Sequence, residues 1–84
     1  MKNCIITFRS VTYAQRAEET LRRAGVECSI QRTQKWMEEK GCGYSLRLNC
    51  QDVMTAAAFL RQAGIHFRRA YTLREDGTPE ELRL

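Results

Sequence analysis

Apolar positions along the chain follow two rhythms, one of period two and one near 3.6. Residues 3–8 (NCIITF) are a short apolar run rich in β-branched side chains, which predicts a buried strand. Ser10 and Thr12 follow as candidate helix N-caps. From Tyr13 to Ala24, the residues Ala14, Ala17, Leu21 and Ala24 recur at spacings of three or four, so one helical face is apolar. Gly25 stands where a helix exits, with Arg22 and Arg23 in the last turn to favour its negative end. Residues 26–33 alternate, Val26, Cys28 and Ile30 to one side and Glu27, Ser29 and Gln31 to the other. Residues 34–43 break that alternation, and residues 44–50 resume it with Tyr44, Leu46 and Leu48 inward. Asp52 is a candidate N-cap for a second helix over 53–63, closed by Gly64, and residues 65–73 alternate again.

The order is strand–helix–strand, twice. An internal repeat supports it: LRRAGV at residues 21–26 matches LRQAGI at residues 60–65, each at a helix-to-strand junction. Right-handed crossovers then interleave the two units. The expected fold is α+β, a two-layer ferredoxin-like βαββαβ sandwich with a four-stranded antiparallel sheet and two helices on one face. Residues 1–75 form this single domain, and 76–84 a charged tail with a turn at Asp76-Gly77 and room for a short terminal element. The sheet face away from the helices is expected to be open and polar, with Ser29, Gln31, Ser45, Arg47, His66 and Arg68 on it.

Length and charge narrow the functions. A chain of 84 residues supports one modest core and no deep enclosing pocket, so chemistry belongs on a loop, an open face or an interface. The formal charge is +4, carried by eleven Arg and three Lys against ten acidic residues. That balance favours anionic partners, but no basic run exceeds two residues, so a dedicated nucleic-acid binder is not indicated. The apolar runs are too short to span a membrane, and the N-terminus enters a strand directly, so no signal peptide is expected. A cytoplasmic, reducing setting is therefore expected, with the four cysteines unpaired rather than in two disulfides.

Among those cysteines, Cys42 is the sharpest candidate for chemistry. Gly41 and Gly43 flank it in an irregular connection, which predicts exposure and close approach of a partner. Lys35, Lys40 and Arg47 are near it in sequence, and cations raise the thiolate fraction, while Glu38 and Glu39 act the other way. The alternative is an ordinary free thiol in a loop. Cys4, Cys28 and Cys50 lie in or at the end of strands, where cysteine packs as a small apolar residue. No C-x-x-C pair is present, so no metal site and no cofactor are expected. His66, the one histidine, reads as a solvated surface residue with a general base as the alternative. Trp36 and Met37 either cover the edge of the core or form a docking patch. No Gly-rich phosphate loop or nucleophile elbow occurs, nor an aromatic pair for stacking bases.

These motifs, in this order, resemble a family of small selenium/sulfur carrier-like proteins. The matching residues are Ile6-Thr7-Phe8, Ala14 with Ala17-Glu18 and Leu21, Ala24-Gly25-Val26, Cys42-Gly43, Leu46-Arg47 and Ala63-Gly64-Ile65, covering residues 3–73. Members often carry small hydroxyl residues before the Cys-Gly and a proline in the loop; here Glu39-Lys40-Gly41 precede it, and the one proline is Pro79. The resemblance implies a thiol carrier that takes sulfur or selenium from a donor protein onto Cys42 as a persulfide or selenopersulfide and hands it to an acceptor. On that resemblance it would act as a carrier rather than a true enzyme. Gly41 and Gly43 would shape the loop, and Lys35, Lys40 and Arg47 would hold the anion. A non-catalytic docking or regulatory module is the alternative reading. A weak RNA binder using Arg47, Arg68 and Arg69 is the third. Pairing of copies through an edge strand or the open face would give a homo-oligomer.

Overall fold

In the computed structural model, residues 2–32 and 43–83 are described. The expected elements are present, and one is added. In chain order they are β1 (Asn3–Phe8), α1 (Val11–Arg23), β2 (Cys28–Arg32), β3 (Tyr44–Asn49), a 3-10 turn (Cys50–Asp52), α2 (Val53–Gln62), β4 (Ala70–Leu73) and β5 (Pro79–Leu82). The strands form one five-stranded sheet in the order β2-β3-β1-β4-β5, with every described pairing antiparallel. The expected count of four strands is thus corrected to five. The added strand PEEL has no alternating apolar pattern to announce it. Backbone pairing with β4 and two ion pairs, Arg74–Glu80 at 2.8 Å and Arg69–Glu81 at 3.6 Å, hold it instead. The turn expected at Asp76-Gly77 leads into it, with Gly77 at φ 85°.

Both helices pack on one sheet face. Cys4, Ile6 and Phe8 of β1, Leu46 and Leu48 of β3, and Ala70 of β4 share a buried cluster with Ala14, Ala17 and Leu21 of α1 and Val53, Ala56 and Leu60 of α2. The repeated LRxAG sequence has a physical meaning here. At the end of α1, Val26 N–H donates to Leu21 C=O at 2.9 Å and Gly25 N–H to Arg22 C=O at 3.0 Å. At the end of α2, Ile65 N–H donates to Leu60 C=O at 2.9 Å and Gly64 N–H to Arg61 C=O at 3.1 Å. This is the Schellman cap made twice, with glycine in the left-handed region (φ 84° and 70°) and the next apolar residue returned to the core. The N-termini differ. Ser10 caps α1, its hydroxyl accepting from Tyr13 N–H at 3.4 Å. Asp52 makes no side-chain cap to α2; Asn49 instead caps the preceding 3-10 turn by accepting from Gln51 N–H at 3.0 Å.

A β-bulge changes the second half of the sheet. Thr7 on β1 faces two residues, since Arg68 N–H donates to Thr7 C=O at 2.8 Å and Thr7 N–H to Arg69 C=O at 2.7 Å. The Thr7 hydroxyl also accepts from Arg69 N–H at 3.0 Å. An extra residue resets the side-chain phase by one. Ile65 and Phe67 therefore face the helices before the bulge, while Tyr71 and Leu73 cross to the other face, where they pack with Ile5. Two expectations fail for this reason. His66 and Arg68 precede β4 and do not stand on its ladder, and the face away from the helices is less polar than the alternation implied. Ser29, Gln31, Ser45 and Arg47 keep their predicted register there, but Ser45 is fully buried, its hydroxyl donating to Gln31 C=O.

The cysteines bring the second correction. Cys4 and Cys50 form a disulfide, with Cα atoms 4.9 Å apart, where unpaired thiols were expected. Strand register is the cause. Asn3 faces Asn49, so Cys50, leaving β3 into the 3-10 turn and donating its N–H to Lys2 C=O, comes beside Cys4. That separation lies within the window a disulfide needs.

Candidate functional site

The sheet has two ends, and the described cysteines gather toward one of them. At one end Arg32, Tyr44 and Phe8 are in register, so the C-termini of β1 and β2 meet the N-terminus of β3. Gly43, buried, stands immediately before Tyr44 at this end. Toward the other end, Cys28, Leu48, Cys4 and Thr72 lie in one row across the sheet, with Cys50 just beyond. At the rise of a strand the two rows are about 13 Å apart.

Each cysteine in the far group has an environment that suppresses nucleophilic chemistry. Cys4 is 1% exposed and bonded to Cys50, with its sulfur 3.6 Å from the Thr72 hydroxyl. Cys28 is free but buried against α1, and its Sγ lies 3.9 Å from Glu18 C=O. Burial pushes the Cys28 thiol pKa up, and the Glu18 carboxylate adds to the rise. Arg22 opposes it, reaching Cys28 C=O at 3.4 Å, but does not outweigh desolvation. The sequence alone placed all three as structural. It missed the pairing of two of them, which becomes visible only through the β1–β3 register.

Cys42, Gly41, Lys35 and Lys40 lie outside the described residues, as do Trp36, Met37, Glu38 and Glu39. Of the predicted site, Gly43 and Arg47 are described. Arg47 is exposed in the middle of β3, in register with Ile5 and Ser29. It is four residues from Gly43, about 13 Å along an extended strand. Its described neighbours belong to the other end of the sheet, where it lines an open groove of about 980 Å³ with Asn3, Arg22, Cys28, Asn49 and Asp52. Among the described residues, no group of three or more His, Cys, Asp or Glu is placed to hold a metal ion. Among them too, no helix is long and apolar enough to cross a membrane.

Residues 3–72 match the family model described as "Putative Se/S carrier protein-like", and the chain belongs to that family. No curated protein and no solved structure matches the chain.

Proposed function

We propose that this member of the Se/S carrier protein-like family carries sulfur or selenium on Cys42, receiving it from one protein and delivering it to another. The family match, which spans Cys42, supports the carrier role. One observation carries the choice of residue: the other three cysteines are bonded or buried, with Cys4 joined to Cys50 and Cys28 held as a shielded thiol of raised pKa. Cys42 is the thiol left for transfer.

The chemistry needs no enclosing pocket. The Cys42 thiolate attacks the terminal sulfur of a donor persulfide, forming a new S–S bond to that atom. The donor's own S–S bond breaks, and its thiolate leaves with the bonding pair. Delivery is the same step in reverse, with an acceptor thiolate attacking the outer sulfur and Cys42 leaving as thiolate. No net oxidation occurs in either step. Lys35 and Lys40, neighbours in sequence, are the proposed stabilisers of the anion. Arg47 is a third and weaker one, since the strand rise separates it from Gly43 by more than a Debye length of about 10 Å. Gly41 and Gly43, next to Cys42 on either side in sequence, are the proposed shapers of the backbone there. The fold reads as ferredoxin-like with β5 added at an edge, a reading that strand order and helix placement support.

Incubation with a persulfide donor, followed by peptide mass mapping, tests the proposal. Sulfur is expected on Cys42 and should pass to a small acceptor thiol. Cys42→Ser should abolish loading. Loading on Cys28 instead, or none where a known thiol carrier is loaded, would overturn it and favour a docking module. Lys35→Ala and Lys40→Ala should slow loading near neutral pH, with recovery at higher pH, where the thiolate forms unaided.

A further inference from the structure

A basic recess opens at the same sheet end as Gly43. It has a volume of about 460 Å³ and is lined by Arg9, Tyr13, His66, Phe67, Arg68 and Arg69. Among the described residues, no acidic one lines it. The fold assembles it from three segments: the end of β1 supplies Arg9, the first turn of α1 supplies Tyr13, and the bulged stretch before β4 supplies the rest. The bulge sets Arg68 and Arg69 side by side opposite Thr7. Arg69 is engaged with Glu81 at 3.6 Å, but neither Arg9 nor Arg68 has a carboxylate partner among the described residues.

Two guanidinium groups without a carboxylate partner among the described residues line one recess with a third, and their summed positive field favours an anion there. The start of α1 adds to the same field. Its first turn holds no acidic residue, and Ser10 satisfies the Tyr13 amide, leaving earlier first-turn N–H groups for other acceptors. Guanidinium forks suit an anion with several oxygens, above all phosphate. The volume falls within the range of small-molecule sites. The rings of Tyr13, 38% exposed, and Phe67 supply apolar surface beside the charges.

We propose that this recess binds the phosphate monoester group of a small molecule, with Arg9 and Arg68 as the principal contacts and the two rings against its organic part. Binding there does not depend on thiol chemistry at Cys42. The test is titration of the Cys42→Ser protein, followed by calorimetry and amide NMR, with inorganic phosphate and phenyl phosphate as probes. Both should saturate, with shifts centred on residues 9–13 and 66–69, and phenyl phosphate should bind more tightly. Arg9→Ala and Arg68→Ala should each weaken binding about tenfold or more, the worth of one charge-assisted hydrogen bond. Arg23→Ala, at the far end of α1, should leave binding unchanged, and circular dichroism should report an intact fold in all three variants. Three results would overturn the proposal: no saturation with either probe, equal loss in Arg23→Ala, or far tighter binding of single-stranded RNA than of phenyl phosphate. The last would make the recess part of a nucleic-acid surface.

Discussion

Arg22 reaches the carbonyl of Cys28 without making that thiol reactive, because a single exposed guanidinium offsets only part of the desolvation of a buried sulfur. The neutral form is the one the fold favours, so the Cys28 pKa stands above its ordinary value of 9.0. Its contribution to stability is therefore full below that value and is lost as pH rises through the raised folded pKa. Alkylation of the unreduced protein at pH values below 9 should modify Cys42 and spare Cys28, with Cys28 reacting after unfolding in denaturant. Peptide mass mapping with time reads both rates, and equal rates in the native protein would contradict the assignment. At this scale the sequence was informative where a property is local. Strand position marked Cys4, Cys28 and Cys50 as structural, while the reading of Cys42 from its glycine flanks lies outside the described residues. Pairing and the basic recess were not legible, since Cys4 meets Cys50, and Arg9 meets Arg68, only through strand register and a bulge.

Elements were legible where a period ran unbroken. The apolar stripe of α1 and the alternation of β2 and β3 predicted their inward faces, and the LRxAG repeat marked both helix exits. Residues 65–73 misled because the alternation was carried through Arg68-Arg69, where two adjacent charged residues interrupt it and the backbone inserts an extra residue. The twin caps give a direct prediction. A Cβ at Gly25 or Gly64 would meet no atom within 4 Å, so Gly25→Ala and Gly64→Ala test backbone conformation alone. Each should lower stability by about 1 kcal/mol, read by denaturant midpoint, because an L-residue is strained at these φ values. β5 carries a prediction of another kind. Asp76 accepts from Thr78 N–H at 2.8 Å across the turn that leads to it, and this bond holds its carboxyl below the usual pKa. The ionised form therefore supports the hairpin above the unfolded pKa, and that support is lost as pH falls through the lowered folded value. Hydrogen-exchange protection in residues 78–82 should fall in acid before that of the rest of the sheet does. Asp76→Ala should reproduce the effect at neutral pH, and unchanged exchange in that variant would remove the turn from the account.

At the scale of the whole molecule, the Cys4–Cys50 bond changes how a small core is held. Its two residues are 46 apart in sequence, and the bond ties β1 to the turn that launches α2. In the chain-entropy model, closing a loop of that length removes about 4 kcal/mol of freedom from the unfolded state. Native domains have only about 5–15 kcal/mol of net stability, so this contribution is a large share for a chain of this size. The packing around the bond does not depend on it, since Ile6, Phe8, Leu46 and Leu60 are each within 1% of full burial. Reduction should therefore lower the melting temperature without abolishing the fold. Cys50→Ala is the variant to use, because Cys4 is fully enclosed and its truncation would add a cavity cost to the loss of the bond. A reducing phosphine should lower the melting temperature of the unmodified protein on the order of 15 °C, and leave Cys50→Ala where it already stands. If the phosphine shifts neither protein, the pair does not brace the fold. If it shifts both equally, the reductant acts elsewhere. A shift confined to the unmodified protein makes stability itself respond to the thiol balance around the molecule, at the sheet end away from Gly43.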